Sequence, residues 1–245
     1  MVIHPQALSP GTVIYPESDG QPMADNTRQF RWIVTIKENL EILFVDQANV
    51  FIAGDLLWYP VEGNNRLCQA PDVMVVFGRP KGDRRSYQQW QEDNIAPQVV
   101  FEILSPSNTG IEMTRKLLFY QQHGVEEYYQ YDPDQNELVG SQRVEGALKE
   151  IPKIQGWVSP RLGIRFEVAT DALTIYTPKG EPFLTPVELA QQRDQARQQA
   201  EEAQQQMEEQ RQRAEEAQQQ MEEQRQRAER LAERLRELGI DPNSV

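Results

Sequence analysis

Pro71-Asp72-Val73-Met74-Val75-Val76-Phe77 and, after a polar loop, Val99-Val100-Phe101-Glu102-Ile103-Leu104 decide how this chain is read. Both are short apolar runs rich in Val, Ile and Phe, which predicts strands of a sheet covered on both faces. Each run carries one carboxylate. An acid inside such a strand is costly to bury unless a cation or good hydrogen bonds accompany it. A single acid of this kind is usually a strand-end or ion-paired residue. Two of them, followed on the next periodic segment by Lys116, point instead to a site that handles a cation.

Outward from this pair, the turn Ser105-Pro106-Ser107-Asn108 leads into a predicted helix from Ile111 to His123, ended by Gly124. On it Met113, Leu117 and Tyr120 share one face, while Glu112, Lys116 and Tyr120, spaced by four, form a neighbouring stripe. Asn26 is the expected N-cap of a helix from Thr27 to about Phe44, with Phe30, Ile33, Ile36, Leu40, Leu43 and Phe44 on its buried face. Further strands are expected near Val13–Tyr15 and over Asn49–Tyr59, Glu127–Tyr131, Glu137–Gln142, Gly163–Val168 and Leu173–Tyr176. Asp55, alone within its run, reads as structural, and the histidines His4 and His123 have no partner that would make a catalytic dyad. Between the two central strands the loop holds Arg79, Lys81, Arg84 and Arg85. It is either a solvated loop or a local phosphate-contacting one.

The last quarter is of another kind. Ala200–Arg213 and Ala214–Arg227 are the same fourteen residues, AEEAQQQMEEQRQR, and fourteen is two heptads. Ala200, Met207, Ala214, Met221, Ala228 and Leu235 fall at position a; Ala203, Gln210, Ala217, Gln224, Leu231 and Leu238 fall at d. This predicts a long helix from about Pro186, with weak coiled-coil character that is strongest at its leucine end. Two domains are expected, residues 1–186 and a helical tail, 187–245, that makes a homo-oligomer, most simply a dimer.

Formal charge is -13, from 25 basic and 38 acidic residues, so the body repels polyanions and any nucleic-acid contact must be local. Cys68 is the sole cysteine, which excludes an intrachain disulfide and a thiolate metal cluster. No basic stretch followed by an apolar run opens the chain, and no segment is apolar enough to span a bilayer, so a cytoplasmic protein without membrane contact is expected.

An acid at one strand, E-x-L inside the next and a lysine beyond resemble the PD-(D/E)xK, restriction-endonuclease-like superfamily. More narrowly, QAPDVMVVFG, VVFEILSPSN and KLLFYQQHGVEEYYQYDP are similar to the Uma-type branch of bacterial endonucleases, over roughly residues 10 to 190. The resemblance implies an α/β fold with a four-stranded mixed sheet flanked by helices. It also implies a Mg²⁺-dependent (or Mn²⁺-dependent) hydrolase acting on DNA phosphodiesters. Asp72 matches the motif aspartate and Glu102 the motif acid, both implied metal ligands. The motif lysine belongs two residues after the acid, yet Leu104 stands there, and Lys116 is the matching candidate. Catalytic roles thus fall to Asp72, Glu102 and Lys116. The chemistry is coherent in itself: carboxylates hold a hard cation that neutralises phosphate, and a lysine beside it orients water. The alternative is a non-catalytic nuclease fold that acts as an oligomerising interaction module through its tail.

Overall fold

The computed structural model describes residues 13–18, 20 and 23–237. Asn26 caps the first helix, α1 (Thr27–Leu43), its side chain accepting from the backbone N–H groups of Arg28 and Gln29. Then follow β1 (Val50–Ala53), β2 (Trp58–Tyr59), β3 (Val73–Phe77), β4 (Tyr87–Gln88) and β5 (Val99–Ile103). Thr109 caps α2 (Gly110–Gln122), accepting from the N–H of Glu112 at 3.2 Å, and Gly124 closes it with φ 99°. The order continues with β6 (Glu127–Asp132), β7 (Glu137–Val144), β8 (Ala147–Glu150), β9 (Arg165–Val168), β10 (Leu173–Tyr176) and α3 (Pro186–Glu237).

Six strands of those described form one mixed sheet in the order β1-β3-β5-β6-β7-β8. All neighbours are antiparallel except β5 and β6, which run parallel. A parallel pair needs a crossover, and α2 supplies it. The layers on the two faces explain the uninterrupted apolar runs. Alternate residues Val73, Val75, Phe101 and Ile103 pack with Ile33, Ile36 and Leu40 of α1. Met74, Val76 and Val100 pack on the other face with Tyr120 of α2, Trp58 and Tyr87.

Several expectations are corrected. The sheet has six strands rather than four, because the β7–β8 hairpin extends it; β8, with both of its glutamate-side positions exposed, has too little apolar patterning to be legible. The segment Asn49–Tyr59 is not one strand. It breaks at Gly54-Asp55, where Asp55 takes φ 49° and its N–H bonds to Pro71 O at 3.1 Å, tying the end of β1 to the start of β3. A Cβ at Gly54 would stand 3.3 Å from Asp72 O, so the close approach favours glycine. Phe30, expected on the buried face, is 48% exposed. Val13–Tyr15 forms no strand. His123 caps α2 and packs on Trp58 and Phe119, and burial lowers its pKa. His4 and Leu238 lie outside the described residues.

Glu127, on β6, is a third buried acid, and it is structural. Its carboxylate accepts from the hydroxyls of Tyr129 (2.9 Å) and Ser159 and from the N–H of Arg161 (2.8 Å). The chain divides into two units, Met1–Val187 and Glu188–Val245, the second being essentially α3. No helix among the described residues is long and apolar enough to cross a membrane.

Glu127→Ala leaves two buried hydroxyls and one N–H without an acceptor. It is expected to destabilise the protein by about 3 kcal/mol or more, read from the shift of the urea unfolding midpoint.

Candidate active site

The register of β3 against β5 aligns Val73 with Phe101, and one step further sets Asp72 opposite Glu102. Both are in phase with Met74 and Val100, so their side chains lie on the face covered by α2. Thirty residues of sequence separate two carboxylates that the sheet makes neighbours. Both are buried, at 8% exposure for Asp72 and 2% for Glu102.

From above, α2 brings the partners. Lys116 donates from Nζ to Glu102 Oε2 at 2.8 Å, and Tyr120, one turn on, donates its hydroxyl to Glu102 Oε1. Asp72 Oδ2 accepts from the backbone N–H of Ile103 at 2.6 Å. The i, i+4 spacing of Lys116 and Tyr120 is what lets one helix face hold both oxygens of a single carboxylate. Glu112 occupies the preceding turn of that stripe, where its carboxylate accepts from Asn108 Nδ2 at 3.2 Å.

Charge is unbalanced here. Burial, and then the charge of Glu102, push the Asp72 carboxyl well above the usual range; Asp55 adds to the effect, against the Ile103 N–H and Lys116. Burial also raises Glu102, with Lys116 and Tyr120 opposing and Glu112 reinforcing. For Lys116, burial works against the charged form, but Glu102, Asp72 and Glu112 together outweigh it and hold its pKa above the ordinary value. One ammonium therefore sits among several carboxylates, and the site has room electrostatically for another positive charge.

The donor types fit a hard cation. Asp72 and Glu102 supply oxygens only, and the excess negative charge would be relieved by a divalent ion. Among the described residues no three His, Cys, Asp or Glu side chains are grouped to hold a metal by themselves. Two protein carboxylates with water and substrate filling the rest is a common arrangement for Mg²⁺.

Sequence reasoning placed Asp72, Glu102 and Lys116 in one site, and the structure brings these three together. It did not single out Tyr120 as the second partner of Glu102, although the Glu112-Lys116-Tyr120 stripe carried the signal. Asp55, read as structural, lies close enough to act on Asp72 electrostatically.

The basic loop is arranged otherwise than a free phosphate-binding surface. Arg79 donates to Glu92 (2.8 Å) and to Asp93, and Arg84 donates to Glu92 (2.7 Å) and to Pro80 O (2.9 Å) while stacking 3.8 Å above the ring of Phe51. Lys81 pairs with Glu41 at 3.3 Å, and Arg85, 83% exposed, pairs with Glu17. The acids that neutralise this loop are distant in sequence or follow it, so the local count of basic residues overstated its free charge.

A mixed sheet with paired carboxylates on adjacent strands agrees with a restriction-endonuclease-like protein, and the lysine here comes from the crossover helix in place of the strand. A family described as "Uma2: Putative restriction endonuclease" matches residues 14–171, and the chain belongs to this family. Among solved structures it is similar to a "putative nuclease belonging to DUF820" from Anabaena variabilis ATCC 29413, with 16% identity and a TM-score of 0.39, over 53% of this chain and 70% of that one. A search of curated proteins found no match.

Two stability outcomes follow from this geometry. Arg84→Ala leaves Glu92 with one partner fewer and uncovers Phe51, and is expected to cost about 1–3 kcal/mol in urea unfolding, whereas Arg85→Ala should leave stability unchanged. Asp72→Asn keeps an acceptor for the Ile103 N–H but removes the buried like charge. A carboxyl whose folded pKa is raised binds a proton more readily folded than unfolded, so its ionisation costs stability as pH rises above roughly 3.9. In EDTA the variant should therefore unfold at higher urea than the parent at neutral pH, with the difference closing towards pH 4.

Proposed function

We propose that the protein is a divalent-cation-dependent endonuclease that hydrolyses DNA phosphodiester bonds. The observation that supports it is the convergence of Asp72, Glu102 and Lys116 on the α2 face of the sheet. In this reading Asp72 and Glu102 hold Mg²⁺ or Mn²⁺. When bound, the ion would neutralise phosphate oxygens and acidify a bound water.

The chain's own residues do the rest. Lys116 orients the attacking water through its ammonium protons and faces the charge that develops on phosphorus-bound oxygen. Tyr120 fixes the rotamer of Glu102 by donating to the oxygen that Lys116 leaves. The Ile103 N–H does the same for Asp72 from the backbone. Because Lys116 comes from the helix and not from the strand position of Leu104, its placement depends on how α2 docks.

A second reading is favoured by one observation: both oxygens of Glu102 already accept a hydrogen bond from the protein. A nuclease fold that keeps its carboxylates for structure, and acts as an interaction module through α3, would look the same at this point.

Metal titration and plasmid cleavage separate the two. Asp72→Ala and Glu102→Ala should abolish both Mg²⁺ binding and cleavage. Lys116→Met should keep metal binding and lose roughly 10²–10³ in rate, the range for one preorganised donor facing developing charge. Calcium should bind without supporting turnover. Absence of metal binding and cleavage in the folded parent would leave the interaction-module reading.

A further inference from the structure

Fifty-two residues, Pro186–Glu237, form one helix whose side chains are all exposed or partly exposed. Met207 is 73% exposed, Met221 72% and Leu231 59%. Methionines and leucines in water are a standing cost for a lone helix, and these recur on one stripe. A single helix turns every 3.6 residues and gains nothing from a strict seven-residue repeat. Two identical copies of a fourteen-residue unit keep their stripe straight only along a left-handed supercoil.

We propose that α3 pairs with α3 of a second copy of this chain as a parallel, in-register, two-stranded coiled coil from about Ala196 to Leu235. The proposal does not depend on whether the globular unit cuts DNA. The seam begins after Arg193, the charged residue that would occupy the preceding a position.

The choice of a second copy comes from the polar members of the seam. Gln210 and Gln224 fall at d positions, and each amide carries two donor hydrogens and an acceptor oxygen. An apolar partner helix would leave them unsatisfied. An identical chain in register sets amide against amide in the same layer, where each satisfies the other. The Ala200, Ala203, Ala214 and Ala217 layers are thin, and let two such helices approach closely.

The flanks agree. Arginine and glutamine alternate at both e and g, so in a parallel pair Arg213 meets Gln218 of the other chain, and Gln206 and Gln220 meet Arg211 and Arg225. No arginine faces an arginine within the repeat. The glutamates lie at b and c, away from the seam, and are held within their own helix by Arg197–Glu201 (2.8 Å) and Arg211–Glu215 (2.9 Å).

Such a repeat has an inherent ambiguity. Slipping one chain by fourteen residues sets the first unit of one chain against the second unit of the other and restores the alanine, methionine and glutamine layers between those two. Both ends break the equivalence: slipped, Gln210 of one chain faces Ala196 of the other, and Leu231 and Leu235, which in register pack on their own counterparts, face Ala217 and Met221. The leucine end carries the larger apolar difference and is therefore the main determinant of the register. In a parallel pair both globular units leave the coil from the same end.

The test uses the full-length chain, with Cys68 alone as the background. Sedimentation equilibrium should give a dimer. Gln210→Cys and Gln224→Cys chains, distinguished by a tag, are mixed, oxidised and mapped by peptide mass. Links of 210 to 210 and 224 to 224 are expected, and links of 210 to 224 are not. A monomer, a trimer or larger species, or 210-to-224 links in this parent background would each overturn the proposal. Adding Leu231→Ala and Leu235→Ala should weaken dimerisation by roughly 10²-fold or more and allow 210-to-224 links to appear. If the leucine-free chain keeps its affinity and its matched links, the leucines do not set the register and that part is overturned.

Discussion

A carboxylate buried in the middle of a central strand has to be satisfied by whatever covers that strand. Glu102 meets this requirement through a single helix, with Lys116 and Tyr120 closing on its two oxygens. Removing either partner would leave a carboxylate oxygen unpaired in the interior, where the cost of an unmade bond exceeds the gain of a made one. The docking of α2, the parallel pairing of β5 with β6 and the position of the candidate site are thus one arrangement. Shifting the helix by a turn would open the site and unpair the interior together.

The same economy runs through the rest of the α/β unit. Polar side chains that go inside arrive with partners from elsewhere in the chain: Gln29 donates to Ile103 O at 2.8 Å, and Asn39 exchanges hydrogen bonds with Leu184. Asp25 accepts from Ser105 and Ser107, which bend the chain out of β5 towards α2. Residues that look catalytic in isolation and residues that look decorative obey one rule. What distinguishes the Asp72–Glu102 pair is that its charge is not closed within the protein, whereas Glu127 is held by two hydroxyls and an amide from its own fold.

Much of this was legible beforehand because period and burial speak through local sequence. The apolar runs of β3 and β5, the cap at Asn26, the end of α2 at Gly124 and the length of α3 all follow from short-range chemistry. Lys116 was legible because it stands on the periodic segment that directly follows the two acid-bearing runs. What was not legible depends on partners far apart in sequence. The break at Gly54-Asp55 is fixed by the bond of the Asp55 N–H to Pro71 O, a partner on the far side of β2. Arg79 and Arg84 carry a basic signature in sequence, and only folding reveals that Glu92 answers both. Strand β8 is visible only because β7 offers it an edge.

The twin fourteen-residue units of α3 carry a consequence for the length of the tail. The unit is a whole number of heptads, so the helix can change length by one unit without a change of phase. Gain or loss of one unit would lengthen or shorten the helix by about 21 Å while leaving every seam position in phase. Length can therefore vary among descendants in quantised steps without any interruption of the stripe, whereas a change of any other size that is not a multiple of seven would break it. The tail is in this sense an adjustable ruler, graduated in fourteen-residue steps.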